Sequence, residues 1–243
     1  VVHYPMQGLI VYRTGFKPQD SLVALKGGWI VRGLDHFDRN SVLFYDGESP
    51  VLLEGGSCPE NEVETEEKLR LLSAHNVLQL DGKDLPAEAG TPPVNSGHEW
   101  VWVENPGELY LKGDAGASYP ELLRYLRTLQ ISEEEGKIQS IRITDEILPV
   151  DGAEHKAALW FHTPPTARLQ GNTLVIPGTN CTWHLAIEQM SSPANLQDGF
   201  HWRAETEDAS TSNPQISAFT ARGIIPSSGA RVVFHLSRWN SEN

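Results

Sequence analysis

The sequence predicts an all-β protein, an antiparallel multi-sheet β-sandwich. Short apolar runs rich in Val, Ile, Leu and aromatic residues recur along the 243 residues, as β-strands require. Gly, Pro, Asn and Asp, which favour turns, separate these runs. Helical segments do not alternate with the runs, so α/β folds with parallel sheets are excluded. Packed antiparallel sheets fit all three observations.

The runs predict strands at regular intervals along the chain. They lie at 9–12, 22–25, 42–45, 51–53, 77–80, 100–103, 138–143, 157–161, 173–176, 182–187 and 231–236. Residues 100–103 alternate Trp and Val, which places both Trp side chains on one face of a strand. The apolar spacing of residues 119–131 suits a helix as well as a strand. Residues 60–72 suit either a short acidic helix or an exposed loop.

The length suits one large β domain or two small domains, and we expect a single continuous domain over residues 1–243. Pro149 and Gly152 mark a soft break near residues 148–154. No stretch approaches about 18 consecutive apolar residues, so neither a transmembrane helix nor a membrane partner is expected. The amino end carries neither an initiator Met nor a signal-peptide pattern. We therefore expect a processed chain, or a part of a longer one.

The charge balance argues against nucleic-acid binding. Nineteen basic and 32 acidic residues give a formal net charge of −13, whereas nucleic-acid partners require a basic surface. Basic residues are concentrated in residues 1–40 and acidic ones in residues 46–68, so a polyanionic ligand would meet the first stretch. The two cysteines, Cys58 and Cys181, either form one disulfide or remain buried thiols.

Five short motifs follow one another along most of the chain. The first, within residues 8–56, is a strand ending in Arg followed by a turn and Leu-Leu-Glu-Gly. The second is Ala-His-Asn-Val-Leu-Gln-Leu-Asp-Gly at 74–82, and the third is a Gly-Asp-Ala…Tyr-Pro…Arg…Arg run at 113–127. The last two are the segments 141–146 and 162–165. In this order they resemble the carboxy-terminal β domain of the heparinase II/III-like polysaccharide lyases. The resemblance implies a β-sandwich and selects a strand over residues 122–131.

The resemblance also implies a partner domain. Enzymes of this family carry their catalytic Tyr and His on an amino-terminal α/α toroid, and no such helical array is encoded in these 243 residues. The chain is therefore expected to hold no catalytic residue and to be inactive by itself. Its implied substrate is an acidic, uronate-containing polysaccharide, such as a glycosaminoglycan or alginate, cleaved by β-elimination in the periplasm or outside a bacterial cell.

A structural zinc site is a further implication of the resemblance, with His36, Glu54 and His75 as its ligands. Two imidazoles and one carboxylate are ligands that Zn²⁺ accepts, with an open fourth position. Two positions depart from the family pattern. Leu34 stands where the family carries a His, and Glu54 replaces the more usual Asp.

Arginines near the amino end are candidates for substrate binding, because a guanidinium fork fits a uronate carboxylate. They are Arg13, Arg32 and Arg39, and the alternative for each is a solvated surface charge. Three tryptophans would either stack on sugar rings or serve as sheet-packing aromatics: Trp29, Trp100 and Trp102.

The alternative function is a non-catalytic carbohydrate-binding or interaction module. Such a module would use the same β-sandwich without any acid–base groups. A toroid encoded directly upstream would favour the lyase, and its absence would favour the binding module.

Overall fold

The computed structural model of the chain describes residues 1–4, 8–27, 36–56, 67–85, 101–104, 108–191, 199–205 and 215–239. Within these ranges the chain forms seventeen β-strands, and the strand pairs are antiparallel. None of the described helices is long and apolar enough to cross a membrane. The all-β, antiparallel prediction is confirmed.

Three sheets make up the described structure. The first has five strands in sequential order, β1 (Val2–Tyr4), β2 (Leu9–Arg13), β3 (Leu22–Lys26), β4 (Ser41–Asp46) and β5 (Ser49–Leu52). The second has eight strands in the order β12 (Arg168–Gln170), β13 (Thr173–Pro177), β14 (Thr182–Ser191), β17 (Ala230–Trp239), β10 (Lys137–Pro149), β9 (Leu122–Glu134), β8 (Leu109–Asp114) and β7 (Val101–Glu104). The third has four strands in the order β15 (His201–Glu205), β16 (Ser217–Ile225), β11 (His155–Thr163) and β6 (Leu78–Leu80).

Residues 122–131, for which the apolar spacing left helix and strand open, belong to the 13-residue strand β9. This strand pairs with β8 on one side and with β10 on the other. The turn between β9 and β10 is Glu135-Gly136, and both residues have positive φ values of 50° and 75°. Two left-handed residues match the two-residue turns that join twisted antiparallel strands. Pairing with the two neighbouring strands thus makes this segment a strand, although its apolar spacing also suits a helix.

The core lies between the eight-stranded sheet and the other two sheets. Phe44 of the five-stranded sheet meets Trp183 edge-on, with ring centroids 4.9 Å apart. Phe161 of the four-stranded sheet meets Phe234 at the same centroid distance. One cluster of buried apolar side chains includes residues from all three sheets. The five- and four-stranded sheets also touch directly, because the Leu53 amide donates to the carbonyl of His162 at 2.8 Å.

Cys181 is a free thiol that lies beside the partly buried carboxylate of Asp46. Its Sγ is 3.4 Å from Oδ2 of Asp46, and Asp46 also accepts two contacts of 2.6 Å from Arg238. Burial raises the pKa of the Cys181 thiol to about 11, so it stays protonated near neutral pH. Cys58 lies outside the described residues.

Candidate functional site

Three chain segments meet where the five-stranded and four-stranded sheets adjoin. They are the turn before β4, the residues after β5, and the residues after a short 3₁₀ helix at Leu72–Ala74. Gly55 donates its amide to the carbonyl of Ala74 at 2.9 Å. A Cβ at position 55 would lie 2.7 Å from that carbonyl oxygen, so only glycine permits this approach. The close backbone contact brings the neighbouring residues, 54 and 75, together.

The three predicted metal ligands lie together at this junction. Nδ1 of His75 is 2.5 Å from Oε2 of Glu54. The rings of His36 and His75 have their centroids 5.1 Å apart, at an interplanar angle of 45°. His75 is 2% exposed, and its Nε2 is buried with no hydrogen-bond partner among the described residues. Ser41 donates its hydroxyl to the other carboxylate oxygen of Glu54.

Carboxylates control the charge of His75. Burial disfavours the imidazolium form, but Glu54 overcomes that penalty and raises the pKa of His75, with a smaller contribution from Asp38. Asp38 is itself held by Lys26 at 2.5 Å and by Arg39 at 2.9 Å. A metal ion at this position would have to compete with a proton, because a ligating imidazole is neutral.

Asn76 fixes the backbone next to His75. Its side-chain nitrogen donates to the carbonyls of Val42 at 2.7 Å and Leu53 at 2.6 Å, and its side-chain oxygen accepts the His162 amide at 2.6 Å. One buried amide thus joins β4, the end of β5 and β11. His162 is fully buried, which lowers its pKa to about 4 and keeps it neutral near pH 7.

A buried ion pair holds this junction to the eight-stranded sheet. Arg127 and Asp145 are both 0% exposed and form two parallel hydrogen bonds of 2.7 and 2.8 Å. Nη1 of Arg127 also donates to the carbonyls of Asn40, at 2.9 Å, and Asn76. Burial opposes the guanidinium charge, but Asp145 raises the pKa of Arg127, so the group remains charged.

Two imidazoles and a carboxylate are residue types that a divalent metal accepts, and among the described residues Nε2 of His75 has no hydrogen-bond partner. The direct contact between His75 and Glu54 nevertheless occupies one imidazole nitrogen and one carboxylate oxygen. Across the described ranges, no group of three or more His, Cys, Asp or Glu side chains is arranged as a metal-ligand cluster. The zinc site therefore stays a prediction.

The predicted substrate-binding arginines occupy different environments. Arg13 ends β2, where its Nε donates to the carbonyl of Gly15 at 3.0 Å and its guanidinium lies over the ring of Phe16. Arg39 is 1% exposed and pairs with Asp38, which favours stabilisation of the turn over contact with substrate. Arg32 and Leu34 lie outside the described residues, as do Trp29 and Trp100. The same applies to the side chain of Trp102.

Three residues of the sequence motifs have structural roles that the motifs alone did not indicate. Asn76 follows His75 in the second motif, Arg127 ends the third, and His162 begins the fifth. Their shared signal was a polar residue within a run that otherwise reads as a buried strand. Asp145 gave the same signal on β10.

Comparisons with known proteins agree with this architecture. The family model "Heparinase II/III-like, C-terminal" matches residues 8–238. A heparinase III gene product has a TM-score of 0.71 at 15% identity, and the heparan sulfate lyase HepC from Pedobacter heparinus has a TM-score of 0.72 at 11% identity. Another heparinase III structure gives 0.69 at 13% identity, with 97% of this chain covered.

Each of the first two matches covers 98% of this chain, but all three cover only 36% of the solved lyase chain. At these identities the structures establish a common fold. A search of curated proteins finds no match. The family match extends over nearly the whole chain and agrees with the order of the five motifs. The chain belongs to the heparinase II/III-like family and corresponds to its carboxy-terminal domain.

Proposed function

We propose that this chain is the β-sandwich part of a polysaccharide lyase that cleaves uronate-containing polysaccharides by β-elimination. The observation that carries the proposal is the meeting of His36, Glu54 and His75 at one sheet junction, in a chain of this family. The chain spans 36% of the length of the solved lyases that it resembles. An amino-terminal α/α toroid, in the same protein or a separate chain, is proposed to supply the remaining part.

The proposed reaction divides the chemistry between two domains. A base removes the proton α to the uronate carboxylate, the glycosidic C–O bond breaks, a C=C bond forms, and an acid protonates the leaving oxygen. The base and acid are assigned to the toroid. Donors that neutralise the carboxylate stabilise the developing enediolate, and Arg13 is the described residue best suited to that contribution. Arg32 remains a further candidate, whereas Arg39 is buried and paired with Asp38 in the turn.

A divalent metal, zinc by preference, is proposed to bind at His36, Glu54 and His75. When bound, it would crosslink three chain segments, which is a structural function. Nε2 of His75 supports this assignment, since it is buried without a hydrogen-bond partner in the described ranges, which is unfavourable for a ring nitrogen. In the absence of metal, Glu54 holds His75 by its other ring nitrogen.

The test of the lyase function compares the 243-residue chain with a protein that joins it to its toroid. Ultraviolet absorbance of the unsaturated uronate product is followed with heparin, heparan sulfate, chondroitin sulfate, hyaluronan and alginate. We expect product only from the joined protein, and a lower rate for its Arg13→Gln variant. Robust cleavage by the isolated chain would contradict this division of labour. Failure of the joined protein on every substrate would favour the non-catalytic binding module.

The metal is tested separately by elemental analysis and thermal unfolding. We expect stoichiometric metal in the wild-type chain and in the control His201→Gln, whose side chain is exposed on β15. His75→Gln should lose the metal. A chelator should lower the melting temperature of the first two proteins only, because a ligand of the native state stabilises it by about 2.7 kcal/mol at one hundred times its Kd. Absence of metal, with melting indifferent to chelator, would refute the site.

A further inference from the structure

The eight-stranded sheet carries a row of polar side chains on the face opposite the core. Tyr110, Gln130, Arg142 and His235 occupy directly paired positions on β8, β9, β10 and β17. All four are partly exposed, whereas the next residue on β10, Ile143, is fully buried. Because side chains alternate between the two faces of a strand, the four residues lie together on the outer face.

A second row with smaller side chains runs beside the first. It contains Ser132, Ser140, Ser237 and His184, again at directly paired positions. The serines leave space above the sheet, and their hydroxyls both donate and accept hydrogen bonds. At the end of this row Trp239, which is 52% exposed, stacks on His184 with ring centroids 5.4 Å apart and planes 8° apart.

The two rows contribute to a groove of about 550 Å³. Its lining consists of five members of the rows and six further residues: Gln130, Ser132, Ser140, Arg142 and His235, with Val1, Tyr12, Glu108, Leu109, Ile131 and Glu133. The groove lies mainly on the eight-stranded sheet, with Tyr12 of the five-stranded sheet at its margin, and it shares no lining residue with His36, Glu54 and His75.

Polar side chains in and beside the groove are held in place by acidic neighbours. Tyr110 donates its hydroxyl to Glu108 at 2.9 Å, and the amide of Gln130 donates to the same carboxylate. Arg142 pairs with Glu188 at 2.7 Å through Nη2. Its Nε is buried and has no hydrogen-bond partner in the described part of the chain. A donor of this kind needs an acceptor that the described protein does not supply.

We propose that this outer face binds a short oligosaccharide that carries a carboxylate, at a site separate from the proposed metal cluster. The serines, Gln130 and His235 would bind sugar hydroxyls, and Arg142 would bind the carboxylate in a charge-assisted contact. Trp239 offers an exposed ring to the apolar face of a sugar. From Tyr110 to His184 the rows cross four strand spacings of about 4.8 Å each, or about 19 Å, which is the scale of a short oligosaccharide.

The inference goes beyond the proposed lyase function, because that function requires a cleft and not a second saccharide site. The proposed binding relies on contacts between the saccharide and side chains of the sheet, and not on the net charge of the chain. The chain carries −13 overall, so long-range attraction of an acidic ligand is unfavourable. Affinity therefore has to come from preorganised contacts on the sheet, which lose little conformational freedom on binding.

The test is calorimetric titration of the 243-residue chain with alginate and heparan sulfate tetrasaccharides, and with a neutral tetrasaccharide of cellulose. We expect Arg142→Met to weaken acidic tetrasaccharide binding about tenfold or more, as loss of a charge-assisted hydrogen bond implies. The matched control is Arg222→Met, because Arg222 is equally exposed, at 44% against 42%, and pairs with Glu205 as Arg142 pairs with Glu188. The control should bind as the wild type does.

Trp239→Ala supplies a second, independent change on the same face, and it should weaken binding of all tetrasaccharides that bind. Equal affinity of the two arginine variants, or no binding of either acidic tetrasaccharide, would overturn the proposal. Preference for the neutral sugar would also overturn the role of Arg142. Because binding is measured without cleavage and without metal, its failure is distinguishable from failure of the lyase function.

Discussion

Removal of the Arg127 guanidinium should be among the most destabilising single changes in the described chain. Arg127→Met would leave Asp145 as a fully buried carboxylate without its partner. It would also remove the donor to the carbonyls of Asn40 and Asn76. Breaking a buried ion pair from one side costs about 3–5 kcal/mol, and the two carbonyls place the expected loss toward the upper end.

Urea denaturation measures this loss as a change in the free energy of unfolding. The matched control is Arg124→Met on the same strand, where Arg124 and Glu146 are 3.7 Å apart and nearly half exposed. That change should cost less than about 1 kcal/mol. The double variant Arg127→Met/Asp145→Leu should recover part of the loss, since no uncompensated charge remains. A loss below about 1 kcal/mol for Arg127→Met would refute the reasoning.

Two further changes probe other parts of the fold. His155 contacts Asp81 at 2.9 Å and Asp151 at 3.2 Å; burial opposes its charge, but the carboxylates raise the pKa of His155 above 6.5. Burial also opposes the charge of Asp81, but the hydrogen bond from His155 lowers the pKa of Asp81 below 3.8. The cluster therefore stabilises the folded chain fully between pH 3.8 and pH 6.5, the ordinary pKa values of the two groups. This stabilisation is lost as the pH rises through the pKa of His155 or falls through that of Asp81. The melting temperature of His155→Gln should therefore lie furthest below that of the wild type near pH 5–6, and parallel pH curves would contradict this. Gly55→Ala should cost about 1–3 kcal/mol, because its Cβ would clash with the carbonyl of Ala74, and unchanged urea denaturation would show that the backbone adjusts.

The sequence was sufficient for the fold class and for most strand positions. The predicted runs at 9–12, 22–25 and 182–187 all lie within strands of the structure. Strands such as β15, with the sequence His-Trp-Arg-Ala-Glu, were not predicted. This strand lies at the edge of its sheet and is mostly exposed, so burial imposes no apolar alternation on it. The order of the strands within the sheets could not be predicted from the sequence either, since β10 pairs with β17 across some 80 intervening residues.

The residues of the candidate site could be predicted from the sequence, but the contacts that position them could not. Family motifs identified His36, Glu54 and His75, and the structure brings them together. Spacings of 18 and 21 residues contain no information about the contact itself. That contact depends on Gly55, whose missing Cβ permits the approach to Ala74. It also depends on hydrogen bonds that only the folded chain forms.

Polar side chains in the interior of this β-sandwich connect its sheets. Asn76 and Arg127 together join all three sheets, because their side chains donate to backbone carbonyls and the Asn76 side-chain oxygen accepts the backbone amide of His162. Replacing either by an apolar residue would remove these donors, so the contacts between the sheets should weaken together. His75 directly precedes Asn76 and therefore inherits its position from this network. The geometry of the candidate metal site is thus a consequence of how the sheets are joined, and a change at Arg127 should alter metal binding without touching a ligand.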